Sequence, residues 1–155
     1  YVLKARAVSR EDDFDVFALL HETEWDTLLF FFGVIFCISG LGYLGHLDVV
    51  SNVLYGGLGA DTANILIGIL SSVVDNIPLM FAVLHMDPDM SEFNWLLITL
   101  ALGTGGSLLS IGSAAGIALM GASKGQYTFL SHLKWTPLLL LGYAAGIAVH
   151  YAVNG

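Results

Sequence analysis

Residues 71–78 read SSVVDNIP, and the reading of this stretch decides the fold. It sets Ser71, Ser72, Asp75 and Asn76 in the middle of an apolar run, between TANILIGIL (62–70) and LMFAVLHM (79–86). A carboxylate in lipid is costly unless partnered, so an intramembrane Asp marks an ion or substrate pathway by default. Pro78 has no backbone N–H and biases Ile77 away from helix, which predicts a break here. A second polar, Gly-rich interruption, GTGGSLLSIGSAAG, follows at 103–116 inside another apolar run. Two interrupted apolar segments in one chain are the pattern of a transport site built from discontinuous helices.

The composition agrees with a membrane setting. Of 155 residues, 56% are hydrophobic and 12% charged, and the mean hydropathy is +0.78. Soluble domains carry about 25% charged residues, so this is an integral membrane protein. The formal net charge of −8 is gathered at one end, with Glu11, Asp12, Asp13, Asp15, Glu22, Glu24 and Asp26 all before residue 27. No basic patch interleaves with aromatics, so nucleic acid is not an expected partner. Cys37 is the one cysteine, so no internal disulfide forms. The chain opens on Tyr1 without a signal-peptide pattern and reads as a piece of a longer protein.

Outward from the central stretch, the expected architecture is all-α: two full transmembrane helices, one re-entrant helical hairpin and one broken transmembrane helix. Residues 1–26 form a cytoplasmic or interfacial segment. Within it DVFALLHETEW suits either a short amphipathic surface helix or a solvated loop. Residues 27–155 form the transmembrane part. Thr27–Gly45 is charge-free and long enough for a bilayer core of about 30 Å. Asp26 at its start can complement the helix dipole or line an ion pathway. Residues 46–60 are too short and Gly-rich to span, and suit an interfacial helix ending at Gly56-Gly57. His21, His46, His85, His132 and His150 show no metal-ligand spacing, so no metal site is assigned to them. Phe93–Ser123 is charge-free and too long for one simple span, so it is expected to be broken near its centre, with Gly103, Gly105, Gly106 and Gly112, like Pro78, as structural hinges. Close packing through small residues is the other use of those glycines. Residues 135–153 form the last span, with Lys134 and Trp135 at its inner interface.

Loop charges choose the path of 61–86. All five Lys and Arg residues lie at 1–26 or at Lys124 and Lys134, whereas 85–92 carries only Asp87, Asp89 and Glu92 as formal charges. A re-entrant hairpin leaves 87–92 outside and returns 122–134 to the cytoplasm, as the positive-inside rule requires. A straight crossing reverses both.

Hydroxyls, carbonyls and a carboxylate at mid-membrane can replace the hydration shell of a small hard cation. Ser71, Ser72 and Asn76 offer neutral oxygens and Asp75 a charge. Thr104, Ser107, Ser110 and Ser113 are expected to form the facing wall. Ser71, Asp75, Asn76, Ser110 and Ser113 are thus the candidate Na⁺ ligands, with Asp26 a further carboxylate. Desolvation raises a carboxylate's pKa and a bound cation lowers it, so Asp75 can exchange a proton for Na⁺. Alternatively, Asp75 braces the hairpin tip as a hydrogen-bond acceptor.

On these residues, SSVVDNIPL (71–79) and GTGGSLLSIGSAAGIALMG (103–121) together resemble the carboxy-terminal half of NhaD-type sodium/proton antiporters of the ion transporter superfamily. ETEWDTLLFFFGV (22–34) resembles the family's lead into the preceding span. The resemblance implies an elevator-type transporter of two inverted repeats in the bacterial inner membrane, a multi-pass homodimer in which this chain is part of the second repeat. It also implies Na⁺ or Li⁺ exchanged for H⁺, no cofactor and no enzymatic activity. The first repeat, absent from this chain, is then a necessary partner, and the fragment alone should not transport. Where dicarboxylate carriers of the superfamily read Ser-Asn-Thr at the hairpin tip, this chain has Asp75-Asn76-Ile77, which favours a cation. The other readings are an arsenite, oxyanion or organic-anion carrier on the same scaffold, and a membrane subunit that transports nothing.

Overall fold

A computed structural model describes residues 25–155, all helix and connections; the proposed amphipathic helix before Trp25 lies outside them. Helix α1 is Trp25–Tyr43 and α2 His46–Ser51, continued by a π-helical turn over Asn52–Gly57. After Gly59 come α3 (Ala60–Leu70) and α4 (Asn76–Met86), then α5 (Glu92–Gly105), α6 (Ala114–Ala122), α7 (Phe129–Leu133) and α8 (Thr136–Asn154).

Helices α1 and α8, 19 residues each, are long and apolar enough to cross a membrane. The bent pair His46–Gly57 and Ala60–Leu70, at 119°, makes a third candidate if counted as one span. Gly45 and Gly59, both at φ 77°, supply the left-handed backbone at the two corners around this segment, where a side chain would be strained.

Local sequence sets the other helix starts. Ser91 accepts from the Asn94 amide and Ser113 from the Gly116 amide, satisfying first-turn donors. Thr128 and Ser131 form a reciprocal capping box for α7. Pro137 falls in the first turn of α8, and Pro78 in the first turn of α4, where a missing N–H costs nothing. Pro78 is therefore not the break itself: Ile77 is helical, and the interruption lies just before it, at 71–75.

The contacts fix the direction of each element. Along α5, Asn64 reaches the Asn94 carbonyl at 2.9 Å, Gly68 packs on Ala101, and Ser71 reaches the Leu102 carbonyl at 3.4 Å. Sequence numbers rise together, so α3 and α5 run parallel. Helix α4 runs the other way: Val83, well past the turn, packs back into one buried cluster with Ile67, Ile98 and Leu102. Segment 60–86 is thus a hairpin whose arms of 11 residues, about 16 Å each, lie against α5 and turn at 71–75. Ile67, Val83, Ile98 and Leu102 from its two arms and α5 make one buried cluster. Helix α8 descends antiparallel to α5, bonding Leu108 from Thr136 and Phe93 from His150.

Helix α1 has no buried residue, and much of the apolar surface elsewhere is exposed, as for helices meeting lipid or further protein. Lipid tails are as apolar as leucine, so helices associate in a bilayer through close packing and hydrogen bonds. Both are concentrated where the hairpin tip meets the interruption after α5.

Candidate functional site

The two interruptions pack on one another. The hairpin tip, 71–75, joins the C-terminus of α3 to the N-terminus of α4. The stretch 106–113 joins the C-terminus of α5 to the N-terminus of α6. Two negative and two positive helix ends therefore meet at one level.

Glycines make the contact possible. A Cβ on Gly105 would overlap the Gly68 carbonyl oxygen and stand 2.6 Å from Ser71 Oγ, and one on Gly112 would overlap the Ser71 carbonyl oxygen. Gly106 is looser, 3.2 Å from the Gly112 oxygen by the same measure, and Gly103 meets nothing within 4 Å. All four have negative φ, so they serve close approach rather than unusual backbone angles. The left-handed residue of the break is Ser110, at φ 62°.

The interruption also begins later than its glycines suggest. Gly103, Thr104 and Gly105 remain in α5, and Gly103 is not a hinge. Thr104 Oγ1 donates to the Leu100 carbonyl at 2.7 Å and Ser107 Oγ to the Thr104 carbonyl at 2.6 Å, and both residues are exposed. Ser110 is buried, and Ser113 caps α6; neither is helical, so they share no helix face.

Ser71 is fully buried, its hydroxyl donating to the Gly68 carbonyl at 2.7 Å. The Ser72 and Ser110 hydroxyls make no hydrogen bond among the described residues, nor do the side chains of Asp75 and Asn76. Asp75 precedes α4 without capping it, so it is no hydrogen-bonded brace for the tip. Several backbone carbonyls of the two interruptions, those of Ser71, Ser72, Ser110 and Gly112 among them, also accept no hydrogen bond from a described residue. At membrane depth such oxygens suit a cavity or an ion.

Asp75 and Asp26 line one cavity of about 510 Å³ with Thr27, Phe31, Ile111 and Ile117. The start of α1, the hairpin tip and the break all contribute to it. Helix α1 runs parallel to α4, since Ser39 lies 3.4 Å from His85 near the other end. That direction brings Asp26 level with Asp75. Asn76 faces a neighbouring cavity of about 270 Å³ beside Thr99 and Gly103.

Side chains of α8 tie the junction, the hairpin arm and the start of α5 together from behind. Thr136 donates to the Leu108 carbonyl at 2.9 Å, Tyr143 to Ile65 at 2.8 Å, and His150 Nε2 lies 3.1 Å from the Phe93 carbonyl. They recur every seventh residue on one face of α8, a spacing visible in the sequence. Buried His132 places Nε2 2.9 Å from the Ser107 carbonyl.

Helices that end in pairs at a polar, carboxylate-lined junction define a membrane protein built around interrupted helices, the arrangement of a secondary transporter. Residues 8–103 match the citrate transporter family, CitMHS, and the chain belongs to that family. It is 63% identical over 141 residues to the Na⁺/H⁺ antiporter NhaD of Vibrio cholerae, covering 91% of this chain and 30% of that protein. It is 60% identical over 141 residues to the NhaD of Alkalimonas amylolytica, covering 91% of this chain and 29% of the relative. Sodium/proton antiporter 1 of Arabidopsis thaliana is 40% identical over 132 residues, 81% of this chain and 23% of the relative. The chain thus spans about 30% of the length of the first of these relatives. The likeness to NhaD-type antiporters carried by 71–79 and 103–121 therefore extends over most of the chain. No solved structure matches it.

Proposed function

We propose that the full-length protein exchanges Na⁺ or Li⁺ for H⁺ across the bacterial inner membrane, and that this chain supplies one wall of the ion site. The observation that carries the reading is the cavity shared by Asp26 and Asp75, whose side chains have no hydrogen-bond partner among the described residues. Two carboxylates in one cavity offer oxygen ligands to a hard cation and a place for the competing proton. The antiporter names of the relatives support the same chemistry.

In this reading Ser71, Asp75, Asn76, Ser110 and Ser113 ligate the cation with the carbonyls between them. Thr104 and Ser107 stand outside that shell because both are exposed, whereas Ser71 and Ser110 are buried. The protein works as an elevator-type homodimer of inverted repeats, with the first repeat closing the site. Side-chain bonds from α8 into both the hairpin and the broken helix support movement of these elements as one unit.

The family description favours a second reading, an organic-anion carrier. An anion site wants cationic partners, and Lys124 and Lys134, the described cations, do not line the cavity of Asp26 and Asp75. The deciding experiment uses everted membrane vesicles with the full-length protein. Na⁺ addition should dissipate a preformed pH gradient while citrate leaves it unchanged; the reverse would establish the anion carrier.

A further inference from the structure

Residues 106–113 leave the helix, and carbonyls buried there need partners or an ion. Two successive ones are held by side chains on the far side of the chain's next turn. The Ser107 oxygen lies 2.9 Å from His132 Nε2, and the Leu108 oxygen takes Thr136 Oγ1 at 2.9 Å. A carbonyl can only accept, so Nε2 carries the proton. In the neutral ring Nδ1 is then the acceptor, and the Tyr127 hydroxyl, its hydrogen-bond partner, donates to it. Tyr127 is itself tied by its backbone: its amide donates to Ser123 Oγ at 3.1 Å, and that hydroxyl lies 3.0 Å from its carbonyl. The capping box of Thr128 and Ser131 fixes the start of the short helix that carries His132.

The imidazole is thus oriented from both nitrogens and presses one defined donor onto the unwound backbone. Three residues beyond Ser107 stands Ser110, whose left-handed backbone persists only where its surroundings hold it. Two residues further, Gly112 lies against the Ser71 carbonyl at the hairpin tip.

We propose that His132, assisted by Thr136, is a positioning residue for the cation site, holding the Ser107–Leu108 backbone so that the break presents its oxygens to the hairpin tip. The inference rests on the reading of this junction as a cation site. His132 touches no ion and acts through the backbone it holds. A role limited to stability would lower the amount of folded protein and leave the affinity of the remainder unchanged.

The test measures Na⁺-driven proton release at fixed pH from vesicles carrying full-length protein. H132A should raise the Na⁺ concentration for half-maximal exchange about five- to tenfold, the scale of one buried hydrogen bond, while the maximal rate per folded protein holds. H132Q, which can donate to Ser107 and accept from Tyr127, should return the value to within about twofold. T136V should shift it in the same direction by less. An unchanged half-maximal concentration in H132A, or failure of H132Q to restore it, overturns the proposal. If H132A does not reach the membrane, T136V decides: an unchanged value there overturns it as well. Absence of Na⁺ exchange by the unaltered protein would remove the cation reading first, an outcome distinct from normal exchange with an indifferent H132A.

Discussion

The carbonyl oxygen of Ser71 rests against the α-carbon of Gly112, with no room for a methyl group between them. Through this contact the tip of the hairpin and the unwound stretch after α5 become one structure. Gly112→Ala must push them apart, and overpacking of this kind costs about 1–3 kcal/mol. In the full-length protein Gly112→Ala and Gly105→Ala should each abolish exchange and lower the melting temperature in detergent. Gly103→Ala should do neither, because a methyl there meets open space.

The carboxylates are separable by isosteric change. Asp75→Asn keeps the shape of the tip, and no hydrogen bond among the described residues depends on its charge. Exchange coupled to protons should collapse while the protein remains folded, as judged by its elution from a sizing column and its melting curve. Asp26→Asn should lower the rate more mildly if Asp75 carries the titrating role. Normal exchange by Asp75→Asn with an unchanged pH profile would move that role to Asp26 or beyond this chain.

Ser110 joins a hydroxyl without a hydrogen-bond partner among the described residues to a left-handed backbone, and the two features respond differently to substitution. Ser110→Ala removes the oxygen and should raise the half-maximal Na⁺ concentration severalfold. Ser110→Gly removes the oxygen and the strain together, so the same affinity loss should come with a gain of about 1 kcal/mol in stability. Thermal melts beside vesicle assays separate the two effects.

The orientation of the hairpin in the membrane follows from charge and can be probed directly. With Cys37 replaced, a cysteine at Asp89 should react with an impermeant reagent added outside, and one at Lys124 only from the cytoplasmic side. Labelling of position 124 alone from outside would require the opposite orientation.

Much of this was legible in the sequence because lipid enforces simple rules. The charge-free runs at 27–45 and 135–153 predict helices found at Trp25–Tyr43 and Thr136–Asn154, and the polar interruption at 71–76 predicts a turn found at 71–75. Pro78 is not the cause of that turn, since it sits harmlessly in the first turn of α4. The glycines were read as hinges because composition cannot distinguish a bend from a close approach; only packing against Gly68 and Ser71 does so. Thr104 and Ser107 looked like ligands because a hydroxyl in an apolar run is conspicuous. Such a hydroxyl most readily bonds a carbonyl of the preceding turn, and here both do, Thr104 within α5 and Ser107 just past its end. His132, weighed only as a metal ligand, and Tyr143 carry no sign of their role for the converse reason. Their partners, Ser107 and Ile65, are backbone oxygens far away in sequence, which carry no side-chain signal.

The short arms of the hairpin also constrain how the protein enters the membrane during synthesis. Neither α3 nor α4, at about 16 Å, can bridge the hydrocarbon region alone, and the turn between them exposes peptide groups that lipid cannot solvate. The surface that shelters this turn belongs to α5 and to the stretch before α6, which leave the ribosome afterwards. The brace on that stretch comes from Thr136, later still. The hairpin must therefore wait at the translocon or the membrane surface until some sixty further residues have emerged, and a nascent chain arrested before Thr136 should leave 71–75 open to water-borne reagents.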